Sequence, residues 1–395
     1  MKKILLILIF VASTCALNAS STYESIKLGD FALGGAVRVN YIKDSSTEED
    51  TKNASRGSNE GVFDLDTVRV NIDYKHDAFL GKAEYRWYPG SGGTNYSFIH
   101  TLWLGYALNE TTHIEVGINR VPFGPTAYGV SQSWFFDQHY YVGLSDDMDL
   151  GAKISGVYGD SLRYDLGYYL MSEPEGVGSG GESARYAYDV VDDFHEKNQV
   201  VGRLIYTKKL GDTTNDFGVS LLYSQLEAQN NGISDGTRFA ASAHMINHIG
   251  NFTLATQLTR YEMSVDNDND GKDDTLIKMG GFNYGEGVAA KAWLPAISLN
   301  YKLETPKIEW LDYAMPYIEY SNIIKDESTY NDSYMYIIGS AFARGNWYIY
   351  TDLAIANGNY FVGPYNSSDG GTNNFGANTG NEDEYRLNVN FGYYF

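Results

Sequence analysis

Cysteine is almost missing from the chain. The 395 residues contain one, Cys15, so neither a disulfide framework nor a thiol-based metal site can be built. Cys15 also lacks a lipobox, which wants Gly, Ala or Ser just before the Cys where this chain has Thr14. Proline is scarce, at 8 residues, and histidine at 7. His244 and His248 lie four apart on one strand face, about 13 Å at strand rise, too far to share a metal. Beyond the N-terminus no apolar run approaches the ~20 residues a spanning helix needs, and the mean hydropathy of −0.34 argues against a helical membrane protein. Basic residues are few: Lys and Arg number 29 against 50 Asp and Glu, a formal charge of −21. Such acidity argues against nucleic-acid binding. No nucleophile elbow, H-E-x-x-H or phosphate loop is read in the chain.

Tyrosine and glycine are abundant, at 34 and 42 residues. Many tyrosines suit strands and interface girdles. The opening MKKILLILIFVASTCALNAS has Lys2 and Lys3, then an apolar stretch from Ile4 to Ala12, then small residues with a cleavage point after Ala19. It reads as a signal peptide over 1–19, leaving 20–395 as one domain. Its removal takes the charge from −21 to about −23, because Lys2 and Lys3 leave.

The dominant pattern is alternation with period two, the mark of a strand between two different solvents. Phe31, Leu33, Val37, Val39 and Tyr41 face one way; Ala32, Gly34, Ala36, Arg38 and Asn40 face the other. Val68, Val70, Ile72 and Tyr74 alternate with Thr67, Arg69, Asn71, Asp73 and Lys75. The last strand alternates Tyr385, Leu387, Val389, Phe391, Tyr393 and Phe395 with Arg386, Asn388, Asn390, Gly392 and Tyr394. About 16 such segments are read, each near the nine to eleven residues of a tilted membrane strand.

Connections alternate in length. Short ones are HDAFLG (76–81), NETT (109–112), GDS (159–161), LGDTTND (210–216), HIGN (248–251), TPKIEW (305–310) and ARGN (343–346). Long ones lie near 42–61, 121–147, 172–197, 264–286 and 358–382. A soluble sandwich has no reason to sort loops by parity, whereas an outer-membrane barrel has short periplasmic turns and long outer loops. The fold expected is therefore an all-β transmembrane antiparallel β-barrel of about 16 strands. Its last strand is expected to close against its first, leaving no edge. A last strand ending in Phe also resembles the signal that outer-membrane proteins present to the barrel assembly machinery.

Two groups of residues stand out on the expected inner face and loops. Arg38, Arg69, Arg86 and Arg386 fall on strands that become neighbours on closure and are expected at similar heights as a basic wall. Glu84, Asp73 and Glu384 face the same lumen and could neutralise them. In SVDNDNDGKDDT (264–275), Asp266, Asp268, Asp270 and Asp274 have D-x-D-x-D-G-x-x-D spacing, with Gly271 for the sharp turn. Oxygen ligands at alternate positions suit Ca²⁺, although position twelve is Ile277 rather than the Glu of an EF-hand. No cofactor is otherwise required.

The stretch INRVPFGPTAYG (118–129), followed by SWFFDQHYYVGLSDDMDLGAKISG (133–156), resembles bacterial general porins, in particular the phosphate-selective porin O and P type. Those carry a strand ending in a basic residue, a PFG-like turn, a long aromatic third loop, and a strand opening with acidic residues and Gly. The resemblance implies a 16-stranded barrel, commonly a homotrimer, in outer-membrane lipid and lipopolysaccharide. It also implies that the third long loop, 121–147, folds into the lumen. Tyr128, Trp134, Phe135, Phe136, Asp137 and His139 would then narrow the channel, with Arg120 at the neck. No lysine-rich tract is present in 121–147, so phosphate selectivity does not follow. The expected function is passive diffusion of small hydrophilic solutes with modest anion preference. An outer-membrane barrel enzyme and a surface adhesin or receptor are the alternatives, and a soluble secreted β-protein the third.

Overall fold

The computed structural model describes residues 25–45, 60–89, 95–177, 185–230, 232–266, 275–282, 284–359, 361–362, 375–378 and 383–395. In chain order its strands are β1 (Ile26–Leu28), β2 (Phe31–Asp44), β3 (Val62–His76), β4 (Phe79–Pro89), β5 (Asn95–Ala107), β6 (Thr112–Arg120), β7 (Met148–Tyr158), β8 (Leu162–Ser172), β9 (Asp189–Val190), β10 (Phe194–Leu210) and β11 (Thr213–Ala228). They continue with β12 (Ser234–Ile249), β13 (Phe252–Asp266), β14 (Leu276–Gly281), β15 (Tyr284–Ala289), β16 (Lys291–Tyr301), β17 (Leu303–Glu304), β18 (Tyr313–Lys325), β19 (Ser333–Arg344), β20 (Trp347–Asn357) and β21 (Glu384–Tyr394). One sheet holds eighteen strands; β1 and β17 are short additions to β2 and β18, and the other sixteen close an antiparallel barrel. β9, β14 and β15 form a separate three-stranded sheet made from loop segments.

The alternation in the sequence becomes alternation in space. β11 reads strictly exposed–buried through its middle. The exposed members are large and apolar: Leu104, Val116, Leu166, Val219, Ile318 and Ile338 all stand on the outer face. A closed barrel leaves no unpaired edge, and an apolar outer belt belongs in lipid, so the barrel sits in an outer membrane. Aromatic pairs mark both rims of the belt. Near the short turns, Phe31 meets Tyr74 at 4.9 Å, Phe79 meets Tyr106 at 5.2 Å and Trp347 meets Tyr393 at 5.0 Å. Toward the loops, Tyr41 meets Phe63 at 5.1 Å and Tyr320 meets Tyr336 at 4.8 Å.

The barrel closes between β2 and β21, with Ala36 opposite Tyr394 and Asp44 opposite Arg386. At the seam, Gly35 and Phe395 exchange two backbone hydrogen bonds of 2.7 and 3.0 Å. Five register shifts interrupt the strand pairings, after Arg38, Glu84, Leu150, Lys197 and Ser234, and the first two change which residues face inward near the arginines. A register shift after Arg38 inserts Asp66, so Asp66 and Thr67 are both buried on the inner side. A second, after Glu84, inserts His100, so His100 and Thr101 are both buried too.

Loop parity holds, but less uniformly than expected. The outer connections at 90–94, 229–233 and 326–332 are short, and the connection from β16 to β18 is long enough to contain β17. The longer outer segments pack together: β9 pairs with β14, and Val288 bridges to Phe375. Their side chains join the aromatic cluster of the barrel mouth, where Phe282 packs on Tyr88, Phe98 and Tyr186.

Candidate functional site

The segment 121–147 lies inside the barrel. Its neck is tied by Val121 N–H to the Asp147 carbonyl at 2.9 Å and by Arg120 to Asp146 at 2.7 Å. Gly129 has φ +64°, and a Cβ there would lie 2.3 Å from the Asp137 carboxylate, so the turn requires glycine. From the neck the loop crosses to the far wall. Gly124 N–H donates to Ser220 of β11 at 3.1 Å, and Arg203 of β10 donates to the Gly124 carbonyl at 3.2 Å. Glu319 of β18 accepts from Ser131 Oγ at 2.5 Å and Gln132 N–H at 2.6 Å. Trp134 N–H reaches Asp352 of β20 at 3.2 Å, and Gln138 N–H reaches Ser321 of β18 at 3.1 Å. Arg238 of β12 donates to the Val142 and Gly143 carbonyls at 2.9 and 2.7 Å. Polar side chains placed at inward positions on five distant strands thus satisfy a loop that would otherwise bury bare backbone.

Six residues were expected to narrow the channel, and the loop places them differently. Tyr128, Trp134 and Phe136 are half-buried, whereas Phe135, Asp137 and His139 are buried. Asp137 accepts from Val130 N–H and His139 N–H at 2.8 and 2.9 Å, so it shapes the loop from within. Phe136 stacks on Tyr140 at 4.3 Å. Tyr128 faces the neck, with the Arg120 guanidinium 5.7 Å from its ring centre. Burial pushes the Tyr128 phenol up to about 12, with Asp146 adding to the rise and Arg120 opposing it, so it is a neutral hydroxyl at physiological pH.

Three of the expected arginines share one wall. Arg69 and Arg86 are directly opposite across β3 and β4, and Arg69 is opposite Ala36 on β2, two residues from Arg38. Every member has an acidic partner. Arg38 pairs with Asp66 at 2.9 Å, Arg69 with Glu84 at 3.6 Å and Arg86 with Glu84 at 2.5 Å. Arg120 adds to the same face through Asp146. The exposures within these pairs are unequal: 21% for Arg38 against 2% for Asp66, 21% for Arg69 against 9% for Glu84, and 26% for Arg120 against 0% for Asp146. In these three pairs the carboxylate is the more buried partner, whereas in the Arg86–Glu84 pair both side chains are buried, at 7% and 9%. Arg69 and Arg86 also lie over the Tyr394 and Tyr186 rings, at 5.3 and 4.5 Å.

Arg386 does not share their height. It is opposite Asp44, whereas Arg38 is opposite Gly392, six residues further along β21 or about 20 Å of strand. It is buried, donates to the Phe361 carbonyl at 2.7 Å and lies 5.6 Å from the rings of Trp134 and Phe135. It binds the loop rather than facing the passage. Of the acids expected to oppose the wall, Glu84 and not Asp73 contacts it; Asp73 pairs with Lys82 at 3.5 Å.

Reading the sequence missed the wall opposite. Arg203 pairs with Asp165 at 2.8 Å, Lys153 with Glu115 at 3.1 Å, and Arg163 with Asp216. It also missed Glu319 and Asp352, although both fall on inward positions of alternating strands.

Two arrangements have the spacing of catalytic groups. Asp137, His139 and Thr259 form an Asp–His–hydroxyl chain at 2.9 and 2.8 Å, but His139 and Thr259 are both fully buried, and Thr259 also bonds Ser242 at 2.9 Å. No substrate carbonyl can reach the hydroxyl, and the chain ties the loop to β13. The stretch Gly232–Gly236 does carry G-x-S-x-G spacing, contrary to the motif reading. Yet Ser234 opens β12 in a turn between two strands, not the strand-to-helix elbow that activates a nucleophile. Of the expected calcium tract, Asp268, Asp270 and Asp274 lie outside the described residues, and of Asp266 only the backbone pairing with Ser234 is described. The signal segment 1–19 also lies outside them.

No protein-family model and no curated protein matches the sequence. Among solved structures, the chain is similar to the anion-selective porin from Comamonas acidovorans, with a TM-score of 0.58 and 11% identity, covering 92% of this chain and 99% of that one. It is equally similar to the outer membrane channel DcaP of Acinetobacter baumannii, at 0.58 and 10%, covering 94% and 100%. Salmonella typhi OmpF in complex with daunomycin follows at 0.56 and 12%, covering 92% and 97%. The chain has the porin fold. At these identities the likeness concerns architecture.

Proposed function

We propose that the chain is an outer-membrane porin giving passive diffusion to small hydrophilic solutes, with modest preference for anions and no enzymatic activity. The observation that carries the preference is the ordering within the ion pairs: Arg38, Arg69 and Arg120 face the passage while their carboxylates are buried behind them. A permeating ion meets the nearer charge more strongly, since Coulomb energy falls with distance and the buried acid is masked by its own guanidinium. The pairing keeps the preference modest. The net acidity of the chain works the other way, but charges on outer loops act through water and are screened beyond roughly 8 Å at physiological salt. Guanidinium forks suit carboxylate and phosphate oxygens, so small organic or inorganic anions are the solutes favoured.

The finer resemblance to the phosphate-selective type rests on 118–156 alone. The family resemblance also carries a homotrimer and contact with lipopolysaccharide, while removal of 1–19 as a signal peptide is read from its charged start, apolar stretch and small residues, and delivery by the barrel assembly machinery from the last strand ending in Phe395. No cofactor is needed for diffusion. The test is the reversal potential of single channels in a KCl gradient, before and after Arg38→Glu with Arg69→Glu. The wild type is expected to prefer chloride and the double variant to prefer potassium. A cation-preferring wild type overturns the preference; a barrel that conducts nothing overturns the porin reading.

A further inference from the structure

Where the lumen loop returns to the wall, Asp147, Asp149 and Asp189 bring one carboxylate oxygen each within 4.8 Å of one another. All three are buried, and so are Glu173, Glu196 and Gln199 beside them. These residues come from the end of the lumen loop, the start of β7, the outer segment that carries β9, and β10. Five carboxyl groups therefore crowd one dry volume. The guanidinium groups among them are Arg238, on Glu196, and Arg185, whose Nε lies 4.0 Å from Asp189. Arg238 is further engaged by the Val142 and Gly143 carbonyls. The cationic charge falls short of the anionic charge.

A second observation points to what completes the cluster. Gln199 donates its Nε2 to Asp149 at 2.6 Å, which brings the amide to the cluster, yet its Oε1 is buried with no hydrogen-bond partner among the described residues. Asp147 Oδ1, Asp149 Oδ1 and Glu196 Oε2 are in the same condition. Buried polar atoms are normally paired, and a neutral carboxamide oxygen left bare beside three bare carboxylate oxygens is a set of acceptors with no donor. Added protons would satisfy the carboxyls one at a time. A protonated carboxyl could also donate to the amide oxygen, so shared protons are the competing account that the acidification arm of the test separates from a cation.

We propose that Asp147, Asp149 and Asp189, with Glu196 and the carboxamide oxygen of Gln199, bind a hard divalent cation of the calcium class that pins the lumen loop to the outer segment. All donors are oxygen, with no His or Cys, which excludes a zinc-type set. They are drawn from four chain segments, and Ca²⁺ tolerates such irregular sets of six to eight oxygens better than Mg²⁺, which demands a near-ideal octahedron. None of these residues belongs to the 266–274 tract. Burial pushes the Asp147 carboxyl well up, with Asp189 and Glu196 adding, and holds the Asp189 carboxyl up at about 6, with Glu196 adding and Arg185 opposing. A bound dication removes that penalty.

The test uses the full-length barrel in detergent, stripped with EGTA, with Asp268→Asn and Asp270→Asn introduced to silence the other tract. Calorimetric titration with CaCl₂ is expected to show one site in this background. Adding Asp147→Asn and Asp149→Asn is expected to abolish it. Gln199→Ala is expected to weaken it on the order of tenfold or more, as loss of a ligand-supporting group does. Asn keeps the shape and relieves repulsion, so these barrels should show the folded, heat-modifiable gel mobility. If they do not, the Gln199→Ala titration and a drop in Tm of the background protein on adding EGTA decide. No calcium heat in the background, or equal heat in the Asn variant, overturns the site. So does a Tm that rises on acidification from pH 7 to 5 but is unmoved by calcium, which would mean the acids share protons instead.

Discussion

Arg120 and Asp146 are 26 residues apart and meet at 2.7 Å, closing the neck of the lumen loop with the arginine partly exposed and the carboxylate fully buried. The pair does two jobs. It fixes where the loop leaves and rejoins the wall, and it presents one positive charge to the passage. The buried acid also accepts from the Tyr186 hydroxyl, which ties the neck to the outer aromatic cluster.

Neutralising either partner should therefore move selectivity in opposite directions. Asp146→Asn leaves Arg120 uncompensated and is expected to raise the chloride-to-potassium permeability ratio, whereas Arg120→Gln is expected to lower it. Two unit charges 4 Å apart interact by about 1 kcal/mol in bulk water, so each change is expected to be about fivefold in a water-filled passage and larger where the passage is drier. Reversal potentials in a KCl gradient measure both. A fall in anion preference on Asp146→Asn would show that the neck pair does not face the passage.

The tethers on the far wall govern how narrow the passage is. Glu319 accepts from Ser131, Gln132 N–H and Ser298, the last at 2.9 Å. Glu319→Ala strands those donors, at a cost of about 1–3 kcal/mol for each buried group left unmatched. The loop should then lift from β18. The expected outcome is higher single-channel conductance with more open-channel noise, and faster protease cleavage within 121–147. Glu319→Gln, which retains one acceptor oxygen, should fall between. Unchanged conductance in Glu319→Ala would mean the loop is held without this tether.

Much of this was legible before any coordinates. Period two, loop parity and an in-phase last strand report the barrel because lipid and water impose opposite demands on alternate residues, and that demand is written into every strand. Heights and partners were harder to read. Counting from the strand ends sets Arg386 level with Arg38, but the β2–β21 register puts it about 20 Å away. Asp66 and His100 face inward only because bulges shift the parity, and a bulge leaves no mark in an alternating string. The Asp147–Asp149–Asp189 cluster joins segments about 40 residues apart in sequence through loop packing, which follows no period. Glu319 and Asp352, by contrast, could have been read as acids on inward positions needing partners.

The closure seam supplies the sharpest steric prediction. A Cβ on Gly35 would lie 2.5 Å from the Arg69 carbonyl oxygen and 2.7 Å from Cζ of Phe395, and one on Gly34 would lie 2.7 Å from the Phe395 carbonyl oxygen. The Arg69 and Phe395 oxygens are backbone atoms and cannot swing aside. Gly35→Val must therefore push β2 away from β3, from Phe395, or from both, breaking the two Gly35–Phe395 backbone bonds that join the first long strand to the last. Overpacking of a well-packed site costs about 1–3 kcal/mol even where side chains can yield, and here an opened seam would also expose strand edges to lipid. Gly202 on β10 offers the control, since a Cβ there meets nothing within 4 Å. Gly202→Val is expected to show the same heat-modifiable gel mobility as the wild type, while Gly35→Val loses the folded band. Because Arg69 supplies the obstructing carbonyl, the smaller Gly35→Ala is expected to fold but to shift the reversal potential by moving that strand. A folded Gly35→Val barrel with wild-type selectivity would mean the seam is looser than these contacts require.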